Sequence, residues 1–438
     1  MTPNRIKRRR FVQTAALTAA APVIVPSSVF GQNAPSNRVV LGTIGIGGMG
    51  RGNTNSFLRN NDCQVVAVCD VDANNLAKGK GMVDGRYKNS DCKAYKDYRE
   101  LLARKDIDAV CIATPDHWHG LTCVAAANAK KDIYCQKPMT HTFAEGQAVV
   151  AAVKKNDRIF QVGSQQRSGG RFRWAAEMAL NERVGKIKHI EVGLPTGHKN
   201  SPKAAANQTP PAHLDYDFWC GPSKKLAYMK ERLHFQWRWV LAYGGGQLMD
   251  WIGHHNDIAH WGMGWDQTGP VEVEAVEFEY PADRSVFDAA WQYKINCTYA
   301  SGVTSSISNK FERGCKWIGE NGAIFVSRGR FRIHDKAGKE DKDATRQAAR
   351  EDYDRGPKKA YKSPEHHRNF LDGVKTRKQC ICPAETGHRS ITPGHLGLVS
   401  QAVGRKLKWD PKAEKIAGDP EAEALLKSTT MRSPWTLA

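Results

Sequence analysis

The segment Val39-Val-Leu-Gly-Thr-Ile-Gly45-Ile-Gly47-Gly-Met-Gly50 constrains this chain more than any other. Its apolar run reads as a buried strand, and a G-x-G-x-x-G turn follows it into a helical pattern. Gly45 permits the tight turn, Gly47 lets backbone approach a pyrophosphate, and Gly50 allows close packing of helix on strand. The new helix offers free N–H groups and its positive dipole end to an anion. Asp70 ends the next apolar run, Gln64 to Cys69, 20 residues past Gly50. Such a carboxylate accepts from a ribose 2′-hydroxyl and repels a 2′-phosphate. The spacing therefore predicts a dinucleotide site that takes NAD in preference to NADP.

Strand-like runs continue at Ile107 to Ala113 and Asp132 to Cys135, with helical stretches at Tyr98 to Lys105 and Leu121 to Ala129. Doubly buried strands alternating with helices predict a parallel Rossmann sheet over 38–162. Beyond Gly163 the period changes to two, at Ile187 to Leu194, Val271 to Tyr280, Ala290 to Tyr299 and Val303 to Asn309. The fold class expected is α/β, with an α+β domain over 163–438 built on a large, mostly antiparallel sheet. Residues 335–362 mix charges of both signs and read as a surface insertion.

Two motifs fall at carboxyl ends of the predicted strands, where open α/β sheets hold ligands: Ala113-Thr-Pro-Asp-His-Trp-His119 and Tyr134-Cys-Gln-Lys-Pro138. A third, Gly246-Gln-Leu-Met-Asp250-Trp-Ile-Gly-His254-His-Asn-Asp257, places Asp250, His254 and Asp257 on one helical face. An Asp one turn before a His can orient the imidazole. A base of near-neutral pKa suits removal of a hydroxyl proton. Asp250, His254, Asp257 and His260 also permit a metal-ligand reading, which the dinucleotide fingerprint makes unnecessary, so no metal is expected.

The chain resembles the Gfo/Idh/MocA family of nicotinamide-dependent oxidoreductases, and its TPDHWH segment resembles the secreted bacterial branch. The resemblance implies a catalytic set of Lys137, Asp250 and His254, with Lys137 from the family's Glu-Lys-Pro signature. Gln136 stands where that signature has Glu. Implied cofactor contacts are Gly45, Gly47, Gly50, Asp70, Thr114, Pro115, His119 and Lys137. Trp118, Arg167, Arg238 and His255 are candidate substrate contacts, since rings stack on sugar faces and Arg or His reaches hydroxyls. The family also implies a homo-oligomer paired through the C-terminal sheet.

The 65 basic and 45 acidic residues leave a net charge of +20. Five of these charges, Arg5, Lys7, Arg8, Arg9 and Arg10, precede an Ala-rich stretch, and Arg8-Arg9-Arg10-Phe11 resembles a twin-arginine export signal over 1–34. The expected location is therefore periplasmic or otherwise exported, with NAD tightly held, because free NAD is scarce outside the cytoplasm. No apolar run is long enough to span a membrane. The 11 cysteines lack CxxC pairs and read as buried thiols, Cys380-x-Cys382 being the one tight pair. Two enzymatic readings share the site: a dehydrogenase acting on a sugar or sugar derivative, and a glycosidase that oxidises, eliminates, hydrates and re-reduces. A third reading, a non-catalytic binder of acidic polysaccharide or nucleic acid, rests on charge alone and lacks any nucleic-acid motif, so no nucleic-acid partner is expected.

Overall fold

The computed structural model describes residues 37–205 and 208–437; the expected export segment lies outside the described residues. Six parallel strands form the first sheet: β1 (Val39–Ile44), β2 (Cys63–Cys69), β3 (Lys93–Tyr95), β4 (Ala109–Ile112), β5 (Asp132–Cys135) and β6 (Phe160–Val162). Their order is β3-β2-β1-β4-β5-β6, so the chain reverses direction across the sheet between β1 and β4. Ile44 is in register with Cys69 and Ile112, and Ile112 with Cys135. The loops after β1, β2, β4 and β5 therefore leave one edge together, beside the crevice that this topology opens. β4 and β5 are buried at every position, which explains the apolar run of β4 and of β5 after its buried Asp132.

The second sheet has nine strands: β7 (Ile187–Gly193), β8 (Glu272–Glu279), β9 (Gln292–Thr298), β10 (Thr304–Ser308), β11 (Gly314–Gly319), β12 (Ala323–Ser327), β13 (Arg330–His334), β14 (Leu407–Asp410) and β15 (Lys415–Ile416). They run β13-β12-β11-β7-β10-β9-β8-β14-β15, antiparallel throughout except for the parallel pair β7 and β10. β9 alternates half-buried and buried residues, as a sheet packed on one face requires. The helices Gly170–Leu180, Gly246–Met263 and Ala384–Val403 pack against this sheet. A Cβ on Gly262 would lie 2.6 Å from Trp317 of β11, so that helix seats on the sheet through a glycine.

The two halves do not divide cleanly in sequence. The helix His366–Thr376 crosses back onto the first domain, where Phe370 meets Phe57 and Tyr134 at ring distances of 6.0 and 5.8 Å. His367 stacks on Tyr134 at 5.1 Å, and Gln161 Nε2 donates to the His366 carbonyl at 2.8 Å. The charged stretch 335–362 is mostly exposed and carries some folded structure of its own. It carries the helix Lys342–Ala348, capped by Asp341, and Arg355 is 3% exposed, with donors on backbone carbonyls and its guanidinium over Trp174. All 11 cysteines are buried and unpaired, and Cys380 and Cys382 reach different partners, the Asn369 carbonyl and Asp257.

Candidate functional site

Each glycine of the first turn has a separate job. Gly45 has φ +84°, and a Cβ there would collide with the Ala113–Thr114 backbone at 2.7 Å. A Cβ on Gly50 would stand 1.8 Å from the Gly45 carbonyl oxygen, so helix and turn touch through it. Gly47 and Gly48 face open space, with no atom within 4 Å of a Cβ, and leave the N-terminus of the helix Gly48–Leu58 uncovered. Asp70 braces the same turn: Oδ2 accepts from Ile46 N at 2.7 Å and Oδ1 from Asp72 N at 2.9 Å. Burial raises its pKa to about 6, against those two N–H donors.

A cavity of about 680 Å³ runs from this turn to Lys137, lined by Gly45, Gly47, Asp70, Thr114, Pro115, Trp118, His119 and Gln136, and by Arg238 from the second domain. Its walls fit a dinucleotide: the glycine cradle is open, and Thr114 Oγ1 and both amide atoms of Gln136 are buried without partners. Both ring nitrogens of His119 meet carbonyls, Pro138 O at 2.8 Å and Thr114 O at 2.9 Å. Burial opposes charge on this ring, but Cys135 and the two carbonyls hold its pKa above the ordinary histidine value. His119 thereby clamps the loop after β4 to the loop after β5. Trp118 stacks on Phe218 at 5.4 Å and donates to the Trp219 carbonyl, making an aromatic wall.

Lys137 Nζ donates to Asp250 Oδ1 and to the Asp250 carbonyl, both at 2.8 Å. Arg238 Nε donates to the same Oδ1 at 3.0 Å, its guanidinium lying over Phe235 and Trp237. Burial alone would raise the Asp250 pKa, yet Lys137 and Arg238 bring it below the ordinary value. The expected orientation of His254 by Asp250 is therefore not what the side chains do, because two cations occupy the carboxylate. His254 Nδ1 is buried without a partner. Burial, then the charges of Lys137 and Arg328, push its pKa well below the histidine range, in place of the near-neutral value expected.

Two candidate substrate contacts are structural. Arg167 is 1% exposed and bridges the buried Asp257 at 2.7 Å and the partly exposed Asp266 at 2.7 Å, so its guanidinium is already neutralised. His255 is also 1% exposed, its Nδ1 on the Gly193 carbonyl at 2.7 Å. The four residues of the metal reading diverge: Asp257 pairs with Arg167, and His260 Nε2 meets the Tyr299 hydroxyl at 2.9 Å. One cavity residue was overlooked within a motif already singled out. Asp116 opens the helix Asp116–Asn128, is 2% exposed, and has Oδ1 without a partner. Burial, then the nearby charge of Asp250, raise its pKa well above the carboxylate range despite Arg238 and Lys137. Asp116 thus presents to the cavity a carboxyl group whose ionisation is opposed by burial.

Residues 39–164 match an oxidoreductase family described by its NAD-binding Rossmann fold, and residues 196–437 match the C-terminal alpha/beta domain of the same family. The chain belongs to the Gfo/Idh/MocA family. It is an oxidoreductase. A myo-inositol 2-dehydrogenase of Thermotoga maritima is 29% identical over 146 residues, 33% of this chain and 42% of the relative. Glycosyl hydrolase family 109 protein 2 of Shewanella sp. strain ANA-3 is 33% identical over 158 residues, 32% of this chain and 35% of the relative. The chain thus spans less than half the length of either. The aldose-aldose oxidoreductase of Caulobacter crescentus, solved with glycerol, shares the fold at a TM-score of 0.63 and 18% identity, over 85% of this chain and 99% of that one.

Proposed function

We propose that this Gfo/Idh/MocA protein is an exported, NAD-dependent oxidoreductase acting at a secondary alcohol or ketone of a sugar derivative. The observation that carries the reading is the contact of Lys137 with Asp250 at the far end of the glycine-turn cavity. Bound in that cavity, the nicotinamide would supply the hydride acceptor and donor. Gly47 and Gly48 would admit the pyrophosphate to the helix N-terminus, and Asp70 the ribose hydroxyls. Lys137, held by Asp250, would donate to the substrate oxygen. His254, neutral through burial, would accept the hydroxyl proton at a ring nitrogen. Asp250 acts here as the shared counter-charge of Lys137 and Arg238. The aromatic wall of Trp118 and Phe218 offers flat faces to a ring. The arginine run at 8–10 supports export, a tightly held NAD follows from that location, and the broad second sheet offers a face for a second copy.

Asp116 favours a second reading on the same site, the glycosidase. Transient oxidation, elimination of the glycosidic substituent, hydration and re-reduction need an acid besides the groups that serve alcohol oxidation, and Asp116 lines the cavity with its pKa raised by burial and Oδ1 unpartnered among the described residues. The similarity to a glycosyl hydrolase supports it.

The test begins by denaturing purified protein and identifying released dinucleotide. Recovery of NAD(H) supports both readings; no NAD(H), with none bound on titration, overturns both. A p-nitrophenyl glycoside panel then separates them. Nitrophenol released without added NAD supports the glycosidase, and a keto product without release supports the dehydrogenase.

A further inference from the structure

Two arginines next to the site have no acidic partner among the described residues. Arg328 sits in the turn between β12 and β13, and Arg313 precedes β11. Both guanidinium groups lie over one indole ring, Trp251, at 4.7 and 5.3 Å. Trp251 in turn packs on His254 at 5.4 Å. The Arg328 guanidinium is therefore within about 10 Å of the His254 ring, the two distances taken end to end.

Arg330 and Arg332 both pair with Glu312, whereas neither Arg313 nor Arg328 makes an ion pair with a carboxylate among the described residues. Asp250 is near enough to act on Arg328 electrostatically, but it is committed to Lys137 and Arg238. Burial, then the like charge of Arg313, lower the Arg328 pKa. Arg313 and Arg328 are both exposed and share the Trp251 ring, so two like charges stand side by side at the surface.

The holding is specific. With its amide turned to satisfy both sides, Gln166 donates to the His254 carbonyl at 3.1 Å and accepts from Arg328 Nε at 3.1 Å. Gln166 is 6% exposed, and the indole supports the guanidinium face. Nε is thus taken, and the two terminal amino groups of Arg328 have no protein acceptor among the described residues. A planar fork fixed at its base and face, with both tips free, matches an oxyanion in bidentate geometry.

We propose that Arg328, backed by Arg313, is the anion-binding end of the substrate site, and that the substrate is a sugar bearing an oxyanion. This rests on the oxidoreductase reading for the position of the reacting carbon near Lys137 and His254. A sugar carboxylate fits the fork in one plane; a phosphate ester offers the same oxyanion chemistry from another source.

The test measures binding to the NAD-loaded protein by calorimetry, with D-glucuronate, D-glucose 6-phosphate and D-glucose as probes, in parallel with NAD reduction. At least one anionic probe is expected to bind about tenfold or more tightly than glucose, with a preference that shrinks as salt is raised. Whichever anion is preferred identifies the oxyanion. Arg328→Gln, on an exposed turn, should bring that preference close to one, and Arg313→Gln should reduce it. Equal binding of anionic and neutral probes, no binding by either anion, or a preference untouched by both substitutions overturns the proposal. Arg328-dependent binding without NAD reduction by any probe sinks the oxidoreductase reading and keeps the anion site. NAD reduction with glucose and with glucuronate alike does the reverse.

Discussion

Lys137 and Asp250 come from different domains and meet twice, through the carboxylate and through the backbone carbonyl, each at 2.8 Å. The double contact fixes Lys137 Nζ against the helix Gly246–Met263 rather than leaving it to solvent. One turn along, a Cβ on Gly253 would make only an ordinary contact with Lys137 Cβ, at 3.5 Å.

Removing the shared carboxylate should leave two cations buried together. Asp250→Ala is expected to destabilise the protein by about 3 kcal/mol, the scale of a buried ion pair that loses one partner. Asp250→Asn should cost less, because it keeps the shape and an acceptor. Urea denaturation of the two variants checks the order, and equal stability of Asp250→Ala and the parent would refute a structural pair here.

The glycine turn offers a cleaner separation of binding from folding. Gly50→Ala forces a Cβ onto the Gly45 carbonyl and should destabilise the fold by about 1–3 kcal/mol. Gly47→Ala meets no protein atom and has φ −62°, so it should melt with the parent. It should nevertheless weaken NAD, because the methyl occupies the pyrophosphate's approach. Melting curves with and without NAD distinguish the two substitutions.

Asp70 gives the NAD affinity a pH dependence of known sign. Its pKa of about 6 in the free protein means that the carboxyl is protonated below that value, whereas ribose hydroxyls donate to the ionised form. Affinity should be level above pH 6 and fall as pH drops through it, by at most about tenfold per pH unit. Titrations of NAD from pH 8 to 5 test this, and Asp70→Asn should flatten the profile.

Asp116→Asn preserves the size of the side chain and removes its titratable proton. NAD binding and melting temperature should therefore hold. Turnover of a glycoside should fall by about a hundredfold or more if Asp116 is the proton donor. An unchanged rate removes Asp116 from the chemistry.

The local signals were readable in the sequence and the non-local ones were not. Gly45 and Gly50 were read from spacing as the tight turn and the helix–strand contact, and the structure has both, within one strand–turn–helix unit. The spacing of Asp250 and His254 was read correctly as one helical face. Spacing does not say which cation from another domain claims a carboxylate, and Lys137 and Arg238 did. Arg167 looked like a substrate contact by residue type, but Asp257 and Asp266, about 90 and 99 residues away, neutralise it in the core. Asp116 was inside a recognised motif, yet only burial turns it into an acid. Pro393 sits within the helix Ala384–Val403, a residue that sequence reasoning treats as a helix boundary.

The crossing helix His366–Thr376 also orders events during synthesis. A ribosome that has made only residues 39–164 has produced all six strands of the first sheet but nothing to cover Phe57 and Tyr134. Phe370, which packs on both rings, follows some 200 residues later in the chain. The first domain is begun first and finished almost last.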